Sequence, residues 1–307
     1  MTNPAVPDVR TIAAGGLFLD VVPEVGGSIA AFRGEREGRR IDWFRPASAA
    51  ALAERNPREM ASFPLIPFCN RIRDGAFTFE GTTVRLPRNY AKSRHPIHGN
   101  AWQLPWTVVE HAVASVTLAL AYEPPRGWPD VWPFPYEARQ TYALTPDALT
   151  VTMTVRNPGG RPMPLGFGHH PYYSRTPGMT IQARVSAIWS ADEDVMPTRL
   201  EHTAVVDRLA EGLPAADAVL DNNFIGWDRT ALVRWPEWQA GVRVTADEPL
   251  RFLVLYIPSD ENLIALEAVS NCTDWLNLTH LGPDKVGGTV VAPGAEVTAS
   301  FRVEPLW

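Results

Sequence analysis

Apolar and polar residues alternate with period two through most of the chain. Leu149, Val151, Met153 and Val155 alternate with Thr150, Thr152, Thr154 and Arg156, the pattern of a strand with one buried face. Val116, Leu118, Leu120 and Tyr122 repeat it, as do Val297, Ala299, Phe301 and Val303 against Thr298, Ser300, Arg302 and Glu304. Phe77-Thr78-Phe79 and Val84-Arg85-Leu86 flank Glu80-Gly81-Thr82-Thr83, which predicts a short hairpin. Pro146-Asp147 and Pro293-Gly294 are turn signals immediately before strands. Only Ala47 to Glu54 reads as helix, with Ser48 or Pro46 near its start and Pro57 limiting its end. Strands at roughly 8–12-residue spacing with turn signals between them predict an all-β fold, a β-sandwich rather than alternating βα units. With no internal repeat, low-complexity tract or linker, residues 1–307 are expected to form one domain.

Composition narrows the function classes. The 307 residues are 45% hydrophobic and 20% charged, enough to bury a large core. Net charge is −6, and Lys and Arg form no basic run, so nucleic acid is not an expected partner. The N-terminal Met1-Thr2-Asn3-Pro4-Ala5-Val6-Pro7 has neither a basic nor an apolar leader region. The longest apolar runs, such as Phe252 to Ile257, fall far short of a membrane span. Cys69 and Cys272 fit neither a metal spacing nor a disulfide framework, so cytoplasmic residence with reduced thiols is the default expectation. The 29 prolines and 22 glycines argue for many turns. The Pro-rich stretch Glu123 to Tyr136, holding Pro124, Pro125, Pro129, Pro133 and Pro135, reads as a loop ordered by Trp128, Trp132 and Phe134.

Several separated patches carry groups suited to acid–base chemistry. Glu267 lies in the apolar run Leu263 to Val269, where a carboxylate is costly unless paired, protonated or used. Burial there would raise its pKa toward that of a working base. The alternative is a strand residue facing solvent or paired with an arginine. His98 follows Pro96-Ile97 and precedes Gly99, while His169 and His170 follow Gly166 and Gly168 and precede Pro171. Imidazole exchanges protons near neutrality, although structural histidines at turns are the competing reading for each. His169 and His170 should face opposite ways on a strand. A metal held by histidines, Asp221 and Glu267 is disfavoured, because no zinc-type ligand spacing occurs. No phosphate-binding glycine loop or Gly-x-Ser-x-Gly elbow is present. Among the 11 tryptophans, Trp102, Trp106, Trp128 and Trp132 are the candidates for stacking on a sugar.

Taken in series, these patches resemble the aldose 1-epimerase (galactose mutarotase) family. The matching words are Asn70-Arg71-Ile72 with Gly75-Ala76-Phe77 and Gly81, Ile97-His98-Gly99, Gly168-His169-His170-Pro171-Tyr172-Tyr173, Asp221-Asn222-Asn223-Phe224, and Glu267 before Ser270-Asn271. They come in the family's order over nearly the whole chain. Two positions depart from the usual word: His169 stands where Asn is common, and Pro171 where Thr is. The resemblance implies a large antiparallel β-sandwich, a site without cofactor or metal, and interconversion of sugar anomers. It makes Glu267 the general base, His170 the general acid and His98 a second, substrate-contacting catalytic histidine. Arg71 and Asp221 would hold sugar hydroxyls, with Asn70 and His169 as further substrate contacts.

The expected activity is therefore that of an aldose 1-epimerase, an isomerase of carbohydrate metabolism acting as a monomer or homodimer without nucleic acid or membrane. A hexose-6-phosphate 1-epimerase is the alternative, with Arg88, Lys92 and Arg94 as the nearest basic cluster. A non-catalytic sugar-binding protein on the same scaffold is another. A related lyase or hydrolase module would want further domains than 307 residues hold. Arg71 is the one basic residue that the family words place at the sugar, which favours a neutral aldose over a phosphorylated one.

Overall fold

The period-two segments become strands where the pattern puts them. The computed structural model describes residues 7–128 and 130–307; most of the N-terminal stretch read above for a leader, residues 1–6, and Pro129 lie outside them. Leu149, Val151, Met153 and Val155 are fully buried in the strand Ala148–Arg156, and burying each is worth about 1.5–3 kcal/mol. The opposite face is a ladder of hydroxyls. Thr152 bonds Ser300 at 3.0 Å and Thr154 bonds Thr298 at 2.8 Å across to Glu296–Leu306, cross-strand pairs of the kind that hold register.

Among the described residues, a nine-stranded sheet has these two strands near its centre, and an eight-stranded sheet runs from Pro197–Glu201 through Leu220–Ile225, Phe252–Ile257 and Leu263–Val269 to Pro64–Leu65. A four-stranded sheet, Arg10–Ala14 to Arg39–Asp42, completes the framework. The pairings between these strands are antiparallel, and one apolar cluster runs from Ile12 to Val303. No helix among the described residues is long and apolar enough to cross a membrane. Both cysteines are buried free thiols.

Three local expectations are sharpened or corrected. The hairpin is tighter than read: Ala76–Phe79 and Thr82–Arg85 are joined by Glu80 and Gly81 alone, at φ 47° and 76°, the two positive-φ residues that match the strands' twist. The helix starts at Ala49, where Ser48 Oγ caps it by accepting from the Ala51 N–H at 3.0 Å, and ends at Glu54. It is not the only helix. Ala204–Glu211 is a second one, burying Val206 and Leu209 and ending at Gly212; its apolar stripe is two residues wide, too short to stand out from strand patterning.

Candidate active site

Cross-strand register gathers the chemistry on one face of the eight-stranded sheet. Asp221 pairs with Tyr256, Tyr256 with Ala265, and Ala265 with Tyr172. Residues paired directly share a face, so these side chains form one row. Glu267, two residues beyond Ala265 and opposite Val254, falls in the next row on the same face. That face forms part of the wall of a cavity of about 220 Å³ whose lining includes Asn70, Arg71, His98, His170, Asp221 and Glu267.

Glu267 is 2% exposed. Its Oε1 lies 3.1 Å from His170 Nε2, while Oε2 has no partner among the described residues. Burial, reinforced by the nearby charge of Asp221, pushes the Glu267 carboxyl well above its ordinary 4.5. His170 is held by its backbone N–H, which donates to Phe63 O at 2.9 Å, and by its ring, stacked on Phe63 at 4.8 Å. Burial and the positive charge of Arg58 hold its pKa well below 6.5. The pair is thus a buried carboxyl and imidazole in contact, sharing one proton over a broad pH range.

His98 and Asn70 fix one another. The His98 N–H donates to Asn70 O at 2.9 Å, and the Asn70 N–H donates to His98 Nδ1 at 3.0 Å. Because Nδ1 accepts, the neutral ring carries its proton on Nε2. Burial first, then the charge of His170, keeps His98 well below 6.5 and hence neutral. His98 therefore offers the pocket an N–H donor. The loop geometry needs Asn70 and His98 at φ 57° and 62°, and Gly99 after them at 67°, where a Cβ would sit 2.0 Å from Ile66 O.

Arg71 donates to Asn70 Oδ1 at 3.1 Å and to Asp221 Oδ2 at 3.2 Å. Burial raises the Asp221 pKa from 3.8, and Arg71 offsets only part of that rise. A guanidinium, a carboxylate and an amide facing one cavity are suited to ring hydroxyls. Among the described residues no group of three or more His, Cys, Asp or Glu is arranged to hold a metal.

The family described as aldose 1-epimerase matches residues 8–304. The chain belongs to that family. It is 27% identical over 314 residues to the uncharacterised protein YphB of Escherichia coli K12, covering 97% of this chain and 99% of that one. A galactose mutarotase-like protein from Clostridium acetobutylicum superposes with a TM-score of 0.86 at 20% identity, covering 96% and 94% of the two chains. The galactose 1-epimerase of Lactobacillus acidophilus gives 0.74 at 17%, covering 96% and 93%. Both structural likenesses show the shared antiparallel sandwich.

The epimerase-family words do not all converge. His169 turns away from the cavity: its Nδ1 bonds Ser62 Oγ, its Nε2 lies 3.4 Å from the Tyr142 hydroxyl, and its ring packs on Phe301. Its expected substrate contact is thus corrected to a core role, because strand alternation sends neighbours to opposite faces. Burial alone lowers its pKa to about 3. Below pH 6.5 the unfolded chain binds a proton that folded His169 refuses, so stability falls with pH down to about 3, by up to about 1.4 kcal/mol per unit. His169→Asn is expected to flatten part of that slope in urea melts, to cost about 1–3 kcal/mol at neutral pH, and to change turnover only a few-fold. An unchanged slope would remove His169 from this role.

The tryptophans and the loop arginines also move. Trp106 and Trp132 are core residues, Trp128 is 69% exposed beside a separate apolar pocket, and Trp102 lines only an outer chamber. Arg94 pairs with Asp74 and Asp194, and Arg88 donates to Ala91 O; neither lines the cavity, whereas Lys92 does. Arg58, Tyr90, Tyr256 and Glu261 line it too and were not singled out by the sequence. Arg58 stands in Asn56-Pro57-Arg58-Glu59, a segment whose sequence signals only a helix stop at Pro57. Tyr256 carries a signal, as the polar tip in the otherwise apolar strand Phe252–Ile257.

Proposed function

We propose that the chain is a mutarotase, interconverting the α and β anomers of an aldose by opening and reclosing its hemiacetal ring. The observation that carries this is the buried Glu267–His170 contact of 3.1 Å facing a cavity of one-sugar size. A hemiacetal hydroxyl and its ring oxygen are bonded to the same carbon, so the base for one and the acid for the other have to be neighbours.

With the shared proton on His170, Glu267 takes the proton from the anomeric hydroxyl as His170 gives its own to the ring oxygen. The C1–O5 bond breaks and leaves the aldehyde. The C1–C2 bond turns, presenting the other carbonyl face. His170 then takes back the proton of the O5 hydroxyl, Glu267 returns its proton to the carbonyl oxygen, and O5 closes on C1. His98, through Nε2–H, and the Arg71–Asp221 pair hold the oxygens in place. Each positioned proton-transfer group typically contributes about 10²–10⁴-fold.

The test is anomer exchange followed by saturation-transfer NMR over a panel of aldoses; tight binding without faster exchange would leave a sugar-binding protein. The same assay gives a pH prediction. The pair works while it holds one proton. The acid limb, where His170 takes a second proton, is expected well below 6.5, and the alkaline limb, where Glu267 loses the last one, well above 4.5. A broad plateau between them is the expected kcat/KM profile. A single limb at the ordinary imidazole value would contradict the shared proton.

A further inference from the structure

The catalytic cavity does not end at the sugar ring. It adjoins an outer chamber of about 650 Å³, and the wall common to both is made by Arg58, Tyr90, Lys92, Tyr256 and Glu261. Six charged residues line the inner cavity: Arg58, Arg71, Lys92, Asp221, Glu261 and Glu267. Arg71 and Asp221 neutralise each other at 3.2 Å, and Glu267 is engaged with His170. Two cations, Arg58 and Lys92, then face one carboxylate, Glu261. Neither cation makes a salt bridge to a carboxylate among the described residues.

Arg58 is placed to meet an acceptor. It leaves the short turn Pro57–Glu59, which Asn56 caps by accepting the Arg58 backbone N–H at 3.2 Å. Its guanidinium lies 3.9 Å over the Tyr90 ring, which orients the plane. Its Nη1 is buried with no hydrogen-bond partner among the described residues, and an open buried donor is costly until something accepts from it. Lys92 comes from the same loop as Tyr90, closed by the Arg88 donation to Ala91 O at 2.7 Å.

The chamber is poorly suited to stacking a second sugar. Arg58 covers the Tyr90 ring, and Arg45 covers Tyr172 at 5.2 Å. Arg45 itself is occupied with the Glu59 and Met60 carbonyls. The outer lining is mixed in charge, with Glu24 paired to Arg55 at 2.8 Å and Glu54 and Glu59 also present, so the cations open to an incoming group are Arg58 and Lys92, at the wall shared with the inner cavity.

We propose that the substrate is an aldose carrying an anionic group at the end remote from its anomeric carbon, and that Arg58 and Lys92 are the specificity residues that receive that anion. This rests on the mutarotase reading, and it reverses the neutral-sugar expectation drawn when Arg71 was the only basic residue placed at the site. A phosphate, sulfate or carboxylate shares the needed chemistry, since a guanidinium fork and an ammonium both bind oxyanions.

The test compares exchange rates for glucose, galactose, glucose 6-phosphate, glucose 6-sulfate and glucuronate by saturation-transfer NMR. The wild type is expected to show kcat/KM about tenfold or more higher for at least one anionic sugar, and the three anions tell phosphate from sulfate from carboxylate. Arg58→Gln and Lys92→Gln should each lower the anionic-to-neutral ratio about 10- to 100-fold, mainly through KM. A residue acting only on folding or on the field at Glu267 would lower both rates and leave the ratio unchanged. Lys92 is exposed, so its variant tests the idea even if Arg58→Gln does not fold. Equal wild-type rates for neutral and anionic sugars, or a ratio untouched by both substitutions, would overturn the proposal. If no sugar exchanges faster, the mutarotase reading fails separately. Calorimetric binding of glucose 6-phosphate then decides: binding lost in Lys92→Gln sustains the anion site, and no binding overturns it.

Discussion

Glu267→Gln is expected to cut anomer exchange by roughly 10²–10⁴-fold while leaving the fold intact. The amide matches the acid in shape and can still meet His170 Nε2, but it cannot accept the proton of the anomeric hydroxyl. The effect on stability has a definite sign. Burial holds the Glu267 carboxyl well above 4.5 in the folded chain. Above 4.5 the unfolded chain sheds a proton that the folded chain keeps, so this residue takes stability away as pH rises toward its folded value. Glutamine removes that loss. The variant should therefore melt no lower than wild type at mildly alkaline pH while being nearly inactive, as expected where a site gives up stability for chemistry. Calorimetry and exchange NMR on the same samples check both halves. Activity within a few-fold of wild type would take Glu267 out of the mechanism.

His170→Asn carries the second large effect, again about 10²–10⁴-fold. Asparagine at the end of the same backbone bond to Phe63 O can neither protonate the ring oxygen nor share a proton with Glu267. The informative comparison is with His169→Asn, one residue away. His169 is spent on Ser62 and Tyr142, so its replacement should leave exchange within a few-fold. Measuring kcat for both separates the acid from its neighbour. A larger loss at His169 would mean that the cavity seen here is not where the ring opens.

Much of this was legible without coordinates because its cause is local. The strands around Val151 and Phe301 follow from alternation, which is strand geometry written in residue types. Glu267 stood out because an ionisable group in an apolar strand is expensive wherever the strand goes. That His169 and His170 part company also follows from alternation. Resemblance to a family word singles out His170 of the two, and in the structure His170 packs on Tyr172 and lies 3.1 Å from Glu267, whereas His169 does neither.

The tertiary structure alone decided the rest. Arg58 reaches the cavity because a capped turn in the loop before Pro64–Leu65 folds back over Tyr90, and nothing near Arg58 in sequence marks that return. Arg94 stands in the basic cluster nearest His98 in sequence, yet it is drawn off by Asp74 and by Asp194, a hundred residues away. Trp106 and Trp132 were candidates for a ligand and became core. The chain's own residues determined the strands, the buried carboxyl and the facing of neighbouring side chains, since each depends on a few adjacent positions. Which cations remain unpaired at the mouth of the site depends on contacts between segments far apart in sequence, and those exist only once the sheets have closed.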